Sequence, residues 1–247
     1  MKIITYNLNY RQNLAGQWAE ISKLEADILL LQELRPPESW PALNLEPNYA
    51  EQFYWTRMNN NGGSAVYLKE GQGRRIDVPG CRGWAVGVEL DQTHPANFQD
   101  KPLQVFSVHI ADKPYLDIAM KVLTAIENLA GTQNLVIGGD FNLTMGVQGA
   151  DRGGLVTSDA ERQIIDFMRR RLGLMSAWQA ANPNTQLDQT LCWNRDKSIA
   201  YHCDGIFVPA SWYRYLDWCK VLPGEPGKPW LTLSDHNPVV ASFTNGK

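Results

Sequence analysis

Leu233-Ser234-Asp235-His236-Asn237 places an acid beside an imidazole, directly before the apolar run Pro238-Val239-Val240-Ala241. Alone, the triplet reads as a polar cap at the start of a strand, because short polar side chains bond the backbone where turns end. Its weight comes from four upstream signals: Tyr6-Asn7, Leu31-Gln32-Glu33, His109 and Gly139-Asp140-Phe141-Asn142. Each sits at the edge of a short apolar run. The polar residues therefore mark strand ends along the whole chain.

Outward from these points, strands are expected at Ile3 to Tyr6, Ile28 to Leu31, Ala65 to Leu68, Ala85 to Leu90, Leu103 to Ile110, Leu135 to Ile137, Ile206 to Val208 and Val239 to Phe243. All are short and rich in β-branched and aromatic residues, and turn formers bound many of them. Between them the period changes. Trp18, Ile21 and Leu24 suggest an early helix feeding the second strand. Tyr115 to Ala130 repeats apolar residues at Ile118, Ala119, Val122, Leu123, Ile126 and Leu129, an amphipathic pattern. Ser158-Asp159-Ala160-Glu161 has the form of a capping box opening a helix through Ile164, Ile165, Phe167 and Met168. The basic run Arg169-Arg170-Arg171 falls at that helix's end, where cations suit the macrodipole. Pro36 to Asn48, Asn59 to Gly63 and Gly224 to Pro229 read as loops. Interleaved strands and helices with no dividing linker predict one α/β domain over residues 1–247, with helices covering sheet faces.

Bulk composition narrows the partners. The net charge is -3, so the chain lacks the global basic footprint of a protein that grips long nucleic acid mainly through phosphate neutralisation. The four cysteines, Cys81, Cys192, Cys203 and Cys219, form no Cys-x-x-Cys pair, which argues against a structural zinc site and for reduced thiols. No charged leader and no membrane-length apolar run is evident, so a soluble, cytoplasmic monomer is expected.

Position then suggests chemistry. Asn7, Glu33 and Asp140 follow apolar runs, whereas Asp204 and His236 precede them. In a mixed sheet with antiparallel neighbours, the end of one strand and the start of the next share a rim, so all five can converge. Glu33 with Asp235, helped by Asn7 or Asn9, offers hard oxygen donors of the kind magnesium accepts together with waters and a substrate phosphate. Asp140 can take a proton from water while Asn142 aims it. His236 can donate to phosphoryl oxygens, oriented by Asp204. Phosphate hydrolysis needs such a positioned nucleophile, charge neutralisation and help for the leaving oxygen.

Six segments carry a family likeness, in family order: Tyr-Asn-x-Asn at 6–9, Leu-Gln-Glu at 31–33, Ser-Val-His at 107–109, Gly-Asp-Phe-Asn at 139–142, Asp204 before Gly-Ile-Phe-Val, and Ser-Asp-His-Asn-Pro at 234–238. The chain resembles the endonuclease/exonuclease/phosphatase superfamily of DNase I-like and exonuclease III-like enzymes. That resemblance implies a four-layer α/β sandwich: two mixed β-sheets packed face to face, helices on the outer faces. It implies Glu33 as principal metal ligand, Asn7 near metal and phosphate, Asn9 as accessory, and Asp235 as a metal-side or second-site carboxylate. Asp140 is implied to activate the nucleophilic water with Asn142 beside it, His236 to contact the scissile phosphate, Asp204 to orient His236, and His109 to assist the leaving group. The implied cofactor is Mg2+, with Mn2+ as a substitute.

One departure bears on substrate. Many nuclease relatives carry Arg-x-Asp-Tyr where this chain has His202-Cys203-Asp204-Gly205. Trp193, Tyr201 and Trp212 flank this region and can stack on a base; His202 can reach substrate in place of the missing Arg. Taken singly, His109 reads as a core histidine, Asp140-Phe141-Asn142 as an Asx turn, and His94 as structural or solvent-facing. Glu33 resists that treatment, because a charge abutting Leu29-Leu30-Leu31 is costly unless paired or ligated. The leading expectation is a magnesium-dependent nuclease cleaving DNA or RNA phosphodiesters. The alternatives are a phosphatase or phosphodiesterase acting on a small phosphoester, phosphoinositide or phospholipid headgroup, and a non-catalytic binding module on the same fold.

Overall fold

The computed structural model describes the chain except residues 12–13, 44–48, 98–101, 132–133, 153–154, 194–200, 223–229 and 245–247, and the side chains of 41–43, 49–50, 152 and 231. In chain order the strands are β1 (Lys2–Asn7), β2 (Ile28–Leu34), β3 (Phe53–Asn59), β4 (Gly62–Leu68), β5 (Gly73–Asp77), β6 (Ala85–Leu90), β7 (Leu103–His109), β8 (Asn134–Asp140), β9 (Leu174–Ser176), β10 (Asp204–Pro209), β11 (Leu216–Val221) and β12 (Val239–Phe243). The helices are α1 (Leu14–Ser22), α2 (Tyr115–Ala130), α3 (Asp159–Arg171), α4 (Ala177–Ala181) and α5 (Trp230–Leu233).

Two six-stranded mixed sheets result, ordered β11-β12-β1-β2-β4-β3 and β5-β6-β7-β8-β10-β9. Each is built around a parallel pair, β1 with β2 and β7 with β8, flanked by antiparallel neighbours. The period of two decides the layers. Ile3, Ile28, Leu30, Val66, Val86, Val105, Val136, Ile206, Val239 and Ala241 fill the space between the sheets. Their neighbours Ile4, Tyr6, Leu29 and Leu31 turn outward under Leu14, Trp18 and Ile21 of α1. On the other sheet, Phe106, Val108, Leu135 and Ile137 turn outward under Val122, Leu123 and Ile126 of α2 and Ile164 and Met168 of α3. Helix, sheet, sheet, helix is the four-layer sandwich expected.

Helix α2 has the expected bounds, and the Ser158–Glu161 capping box forms in both directions at the start of α3. The Arg169-Arg170-Arg171 run is engaged locally: Arg169 and Arg170 pair with Asp166, and Arg171 with Glu127.

Four strands, β3, β5, β9 and β11, were not among those expected from the sequence. They are the four sheet edges. Two of the expected loops contain structure. Asn59 to Gly63 is a hairpin turn between β3 and β4, tied by the Asn59 Oδ1 oxygen accepting from the backbone N–H groups of Asn61 (2.8 Å) and Gly62 (3.2 Å). Pro36 to Asn48 contains a 3-10 helix at Pro37–Leu43; residues 44–48 and the whole of the expected loop from Gly224 to Pro229 lie outside the described residues.

Candidate active site

The sheet topology brings the polar strand ends to one rim. Asn7 closes β1, His109 closes β7 and Asp140 closes β8, while Asp204 opens β10. Register makes neighbours of them: His109 lies opposite Asp140 in the parallel pair, and Asp204 opposite Asp140 in the antiparallel pair. The close approach of β7 and β8 here requires Gly139, where an added Cβ would meet the Val108 carbonyl oxygen at 1.8 Å. Glu33 does not follow its strand as the sequence suggested. It lies within β2 at a register shift between Leu31 and Leu34, with φ at 52°. Asn9 (φ 52°) and Asn142 (φ 50°) share that left-handed conformation, which asparagine tolerates, so the backbone strain of about 1–2 kcal/mol falls on Glu33. Strain held by a rigid scaffold is frequent at functional sites.

Asp140 is the hub. Its Oδ1 accepts the backbone N–H of Asn142 (2.9 Å). Its Oδ2 faces the rim and accepts from Asn7 Nδ2 (3.0 Å) and Asn142 Nδ2 (3.3 Å). The Nε2 atoms of His236 and His109 each stand 3.7 Å from the same Oδ2. His109 Nε2 is also 3.5 Å from Glu33 Oε1, and Asn7 Nδ2 reaches that oxygen at 3.3 Å. On the far side of its ring, His236 Nδ1 lies 2.9 Å from Asp204 Oδ2. Asn7, Glu33, His109, Asp140, Asn142, Asp204 and His236 thus form one connected cluster that draws on both sheets.

The remaining expected ligands flank it. Asn7 Oδ1 accepts the Asn9 backbone N–H (2.9 Å), so the Asn7 amide presents its nitrogen, and not its oxygen, to the carboxylates. Asp235 is half-buried, and its charge acts on both Glu33 and His236.

Burial sets the electrostatics. It pushes the Glu33 carboxyl up to about 7, a rise that His236 opposes and the charges of Asp140 and Asp235 reinforce. It also raises Asp140, with the His236 ring opposing and Asp204 adding to the rise. The His109 ring is driven down by burial and stays neutral. Burial acts the same way on His236, but the carboxylates of Asp204 and Asp140 outweigh it and hold that ring as an imidazolium with a pKa of about 10. Three carboxylates around one rim, two of them short of compensating charge, fit a hard divalent cation bound through oxygen.

Several supporting residues had escaped the sequence reading. Beneath the rim, Gln32 Nε2 donates to Ser107 Oγ (3.0 Å), Ser107 Oγ donates to the Leu31 carbonyl (2.9 Å), and Thr5 Oγ1 donates to Gln32 Oε1 (3.3 Å). All three side chains are fully buried, and the chain of bonds fastens β1 and β2 to β7 across the inter-sheet core. Thr5 and Ser107 each stand two residues before a site residue on an otherwise apolar strand, a signal available from the period of two. Gln17 Nε2 donates to the carbonyls of Leu8 and Leu233, both at 2.8 Å, tying the loop after β1 to the segment before His236. It occupies the apolar face of α1 between Leu14 and Ile21, where a polar residue was itself a clue. Thr190 had no such signal: its Oγ1 accepts the backbone N–H groups of Cys203 (2.9 Å) and Asp204 (3.1 Å).

Beside the cluster opens a pocket of about 430 Å³, walled by Lys113, Tyr115, Asn142, Leu191, Trp193 and Tyr201 among others. Trp193 is 57% exposed and Tyr201 39%, so both rings are available at its mouth, as the stacking reading requires. Trp212 is not: it is fully buried against Phe243, ring centroids 5.5 Å apart, in the inter-sheet core. His202 lines the same pocket, but its ring is buried, packing on Trp178 at 5.0 Å with Nδ1 bonded to the Asp188 carbonyl at 2.7 Å, while its Nε2 has no hydrogen-bond partner among the described residues. His94 is structural, buried with Nδ1 accepting the Ala96 backbone N–H (3.0 Å).

No family model and no curated protein matches the sequence. Solved structures do match the fold. The chain superposes on the APE2 catalytic domain of Xenopus laevis with a TM-score of 0.72 and 18% identity, covering 98% of this chain and 91% of that one. The two chains share a fold. A second match is the 3' phosphatase NExo from Neisseria, solved bound to a product DNA hairpin, with a TM-score of 0.68, 18% identity and 99% of each chain covered. A third is the endonuclease domain of TRAS1, a telomere-specific non-LTR retrotransposon, with a TM-score of 0.67, 17% identity, and 100% and 99% covered. This chain therefore aligns with these structures end to end at low identity. Among its described residues, no helix is long and apolar enough to cross a membrane.

Proposed function

We propose that residues 1–247 form one magnesium-dependent phosphodiesterase unit that hydrolyses nucleic acid, DNA or RNA, by attack of water on the phosphate. The observation that carries the reading is the Asp140 carboxylate, set between two histidine Nε2 atoms at 3.7 Å each, of which only one ring is charged. A base and an acid are thereby held apart by environment on a single rim.

Glu33 and Asp235, with Asn9 beside them, would hold the cation, while Asn7, whose amide nitrogen faces the carboxylates, would brace Glu33 and Asp140 instead of ligating. When bound, it neutralises charge on the phosphoryl group, and manganese can replace magnesium in that role. The chain's own groups account for the rest. Asp140, whose raised pKa suits a base working near neutral pH, takes the proton of the attacking water through Oδ2. Asn142 and Asn7 fix that oxygen by donating to it. His236 donates Nε2–H to a phosphoryl oxygen, and Asp204 keeps the ring oriented and charged. His109, neutral, stands between Glu33 and Asp140 as a donor for the leaving oxygen. The fold neighbours whose names specify an activity are endonucleases, an exonuclease and a 3' phosphatase, which supports this assignment of chemistry.

A second reading keeps the site and changes the substrate to a small phosphoester. The net charge of -3 and the local pairing of Arg169, Arg170 and Arg171 favour it, since long polyanions prefer free surface cations. One panel separates the readings. Plasmid, single-stranded DNA and RNA are incubated with and without magnesium, alongside phosphate release from nucleotides, inositol phosphates and phospholipid headgroups. Metal-dependent strand cleavage is expected. Phosphate release from small esters alone selects the second reading, and tight binding with no turnover of any substrate defeats both.

A further inference from the structure

Behind the His236 ring, away from Glu33, Cys203, which the proposed reaction does not use, joins Asp204 and His236 in a second cluster. Cys203 Sγ, Asp204 Oδ2 and His236 Nδ1 all fall within 4.8 Å of one another, and all three residues are buried. Cys203 Sγ is 3.5 Å from Asp204 Oδ2, and His236 Nδ1 is 2.9 Å from the same oxygen. A second observation points to a ligand. Asp204 Oδ1, the other oxygen of that carboxylate, is buried with no hydrogen-bond partner among the described residues. Leaving a buried carboxylate oxygen unmatched costs about 1–3 kcal/mol or more, and a cation held by both oxygens removes that penalty. Burial and the nearby Asp204 and Asp140 carboxylates hold the Cys203 thiol well above its ordinary value, so it gives up its proton only in exchange for a cation; Thr190 Oγ1, 3.8 Å from Sγ, opposes that rise by donating to it.

We propose that Cys203, Asp204 and His236 form a binding site for a zinc-class, thiophilic divalent cation, whose occupation draws His236 from its carboxylate partner and inhibits the enzyme. The donor set separates this site from the oxygen-rich rim around Glu33. One thiolate, one imidazole and one carboxylate suit zinc, whereas magnesium avoids sulfur and nitrogen. Bond lengths of about 2.0–2.3 Å place tetrahedral donors roughly 3.3–3.8 Å apart. The Cys203–Asp204 separation of 3.5 Å already meets that spacing, and the 2.9 Å His236–Asp204 separation opens by a few tenths of an ångström. Cys203 also borders the open pocket beside the active centre, which gives an ion its route in.

Binding is written with its protons. The Cys203 S–H proton leaves to solvent and His236 Nδ1 gives up its own, and the two lone pairs so freed, with the Asp204 oxygens, take the cation. The ring that remains carries its proton on Nε2 and is held by the cation through Nδ1, so Asp204 no longer orients it toward the phosphate. At least the thiol proton is released per ion.

The inhibitory half rests on the proposed phosphodiesterase reading; the binding half does not. Cadmium alone is titrated into the chelator-treated chain while sulfur-to-cadmium charge-transfer absorbance is followed, and calorimetry in buffers of different ionisation enthalpy counts protons. One sulfur-bound ion per chain and the release of at least the thiol proton are expected. Cys203→Ser and Cys203→Ala should lose the absorbance, while Cys192→Ser and Cys81→Ser keep it. Zinc inhibition of magnesium-supported cleavage, scaled to each variant's own zinc-free rate, should weaken roughly 10- to 100-fold in the Cys203 variants. Absorbance that persists in both folded Cys203 variants, or its absence from the wild-type chain, overturns the site. Absorbance without any cleavage activity upholds the site and defeats the phosphodiesterase reading instead.

Discussion

The Nδ1 nitrogen of His236 stands 2.9 Å from Oδ2 of Asp204, and Asp204 lies opposite Asp140 in the β8–β10 register. One carboxylate thus faces the back of the ring while another faces its front. The two together hold the imidazolium to a pKa of about 10 against the cost of burying it. Asp204→Asn keeps an acceptor for Nδ1–H and removes the charge. The ring's pKa then falls, so the active, protonated form is lost at a lower pH. Turnover at neutral pH should fall by roughly 10²- to 10⁴-fold, and the basic limb of the kcat/KM profile should move to lower pH. Far-UV circular dichroism should not change. A profile whose basic limb stays where the wild type has it would remove Asp204 from the proposed mechanism.

Glu33 carries the opposite burden. Its folded pKa is raised from the ordinary 4.5 to about 7, so between those values the folded chain holds a proton the unfolded chain has released. Stability contributed by the protonated group is full at low pH and is lost as pH rises through about 7. Glu33→Gln removes that loss. In chelator near pH 8 the variant should be more stable than wild type by about 1–3 kcal/mol, and near pH 5 the gap should shrink. Urea denaturation at the two pH values checks this. A wild-type chain more stable than Glu33→Gln near pH 8 without metal would show that the carboxylate is already compensated.

The same shift sets the pH dependence of metal use. A cation binds the ionised form of Glu33, so protons compete with it below a pH of about 7. The magnesium concentration for half-maximal activity should rise up to about tenfold for each pH unit below that point and level off above it. Magnesium titrations at three pH values spanning neutrality measure it. A half-maximal concentration independent of pH would place the cation away from Glu33.

The interior of both sheets was legible in the sequence, and their edges were not. The eight expected strands are the eight inner ones. Buried on both faces, strands such as β4 and β7 read as continuous apolar runs. Edge strands carry charge that hides them and also deters association with other sheets. β5, Gly-Arg-Arg-Ile-Asp, is mostly exposed and spends Arg74 on Glu89, while β11 opens at a register shift with Asp217 exposed and then alternates exposed Trp218 and Lys220 with buried Cys219 and Val221. In the site, residues at strand ends were found because an acid or imidazole against an apolar run is conspicuous. The distinctions that need three dimensions were not. Trp212 and His202 have the right composition and the right neighbourhood in sequence, yet one faces the inter-sheet core and the other braces Trp178. Thr190 acts through its hydroxyl on backbone atoms 13 and 14 residues away, which no local pattern encodes.

Trp193 and Tyr201 offer the last distinction, between a polymer and a small ester. Both are exposed aromatic rings at the mouth of the pocket that Asn142 shares with the Asp140 cluster. Exposure of a large ring is costly unless a ligand covers it, and a base stacked on such a ring is worth about 1–3 kcal/mol. Trp193→Ala and Tyr201→Ala should therefore raise KM for single-stranded nucleic acid by roughly 5- to 150-fold each. Hydrolysis of a minimal aryl phosphodiester, which has no neighbouring base, should keep its kcat, because neither ring touches Asp140 or His236. Salt adds a control: stacking survives ionic strength that weakens phosphate contacts. Equal losses on the polymer and on the minimal ester would mean that the two rings support the site's structure, and an unchanged KM on the polymer would take bases out of this pocket.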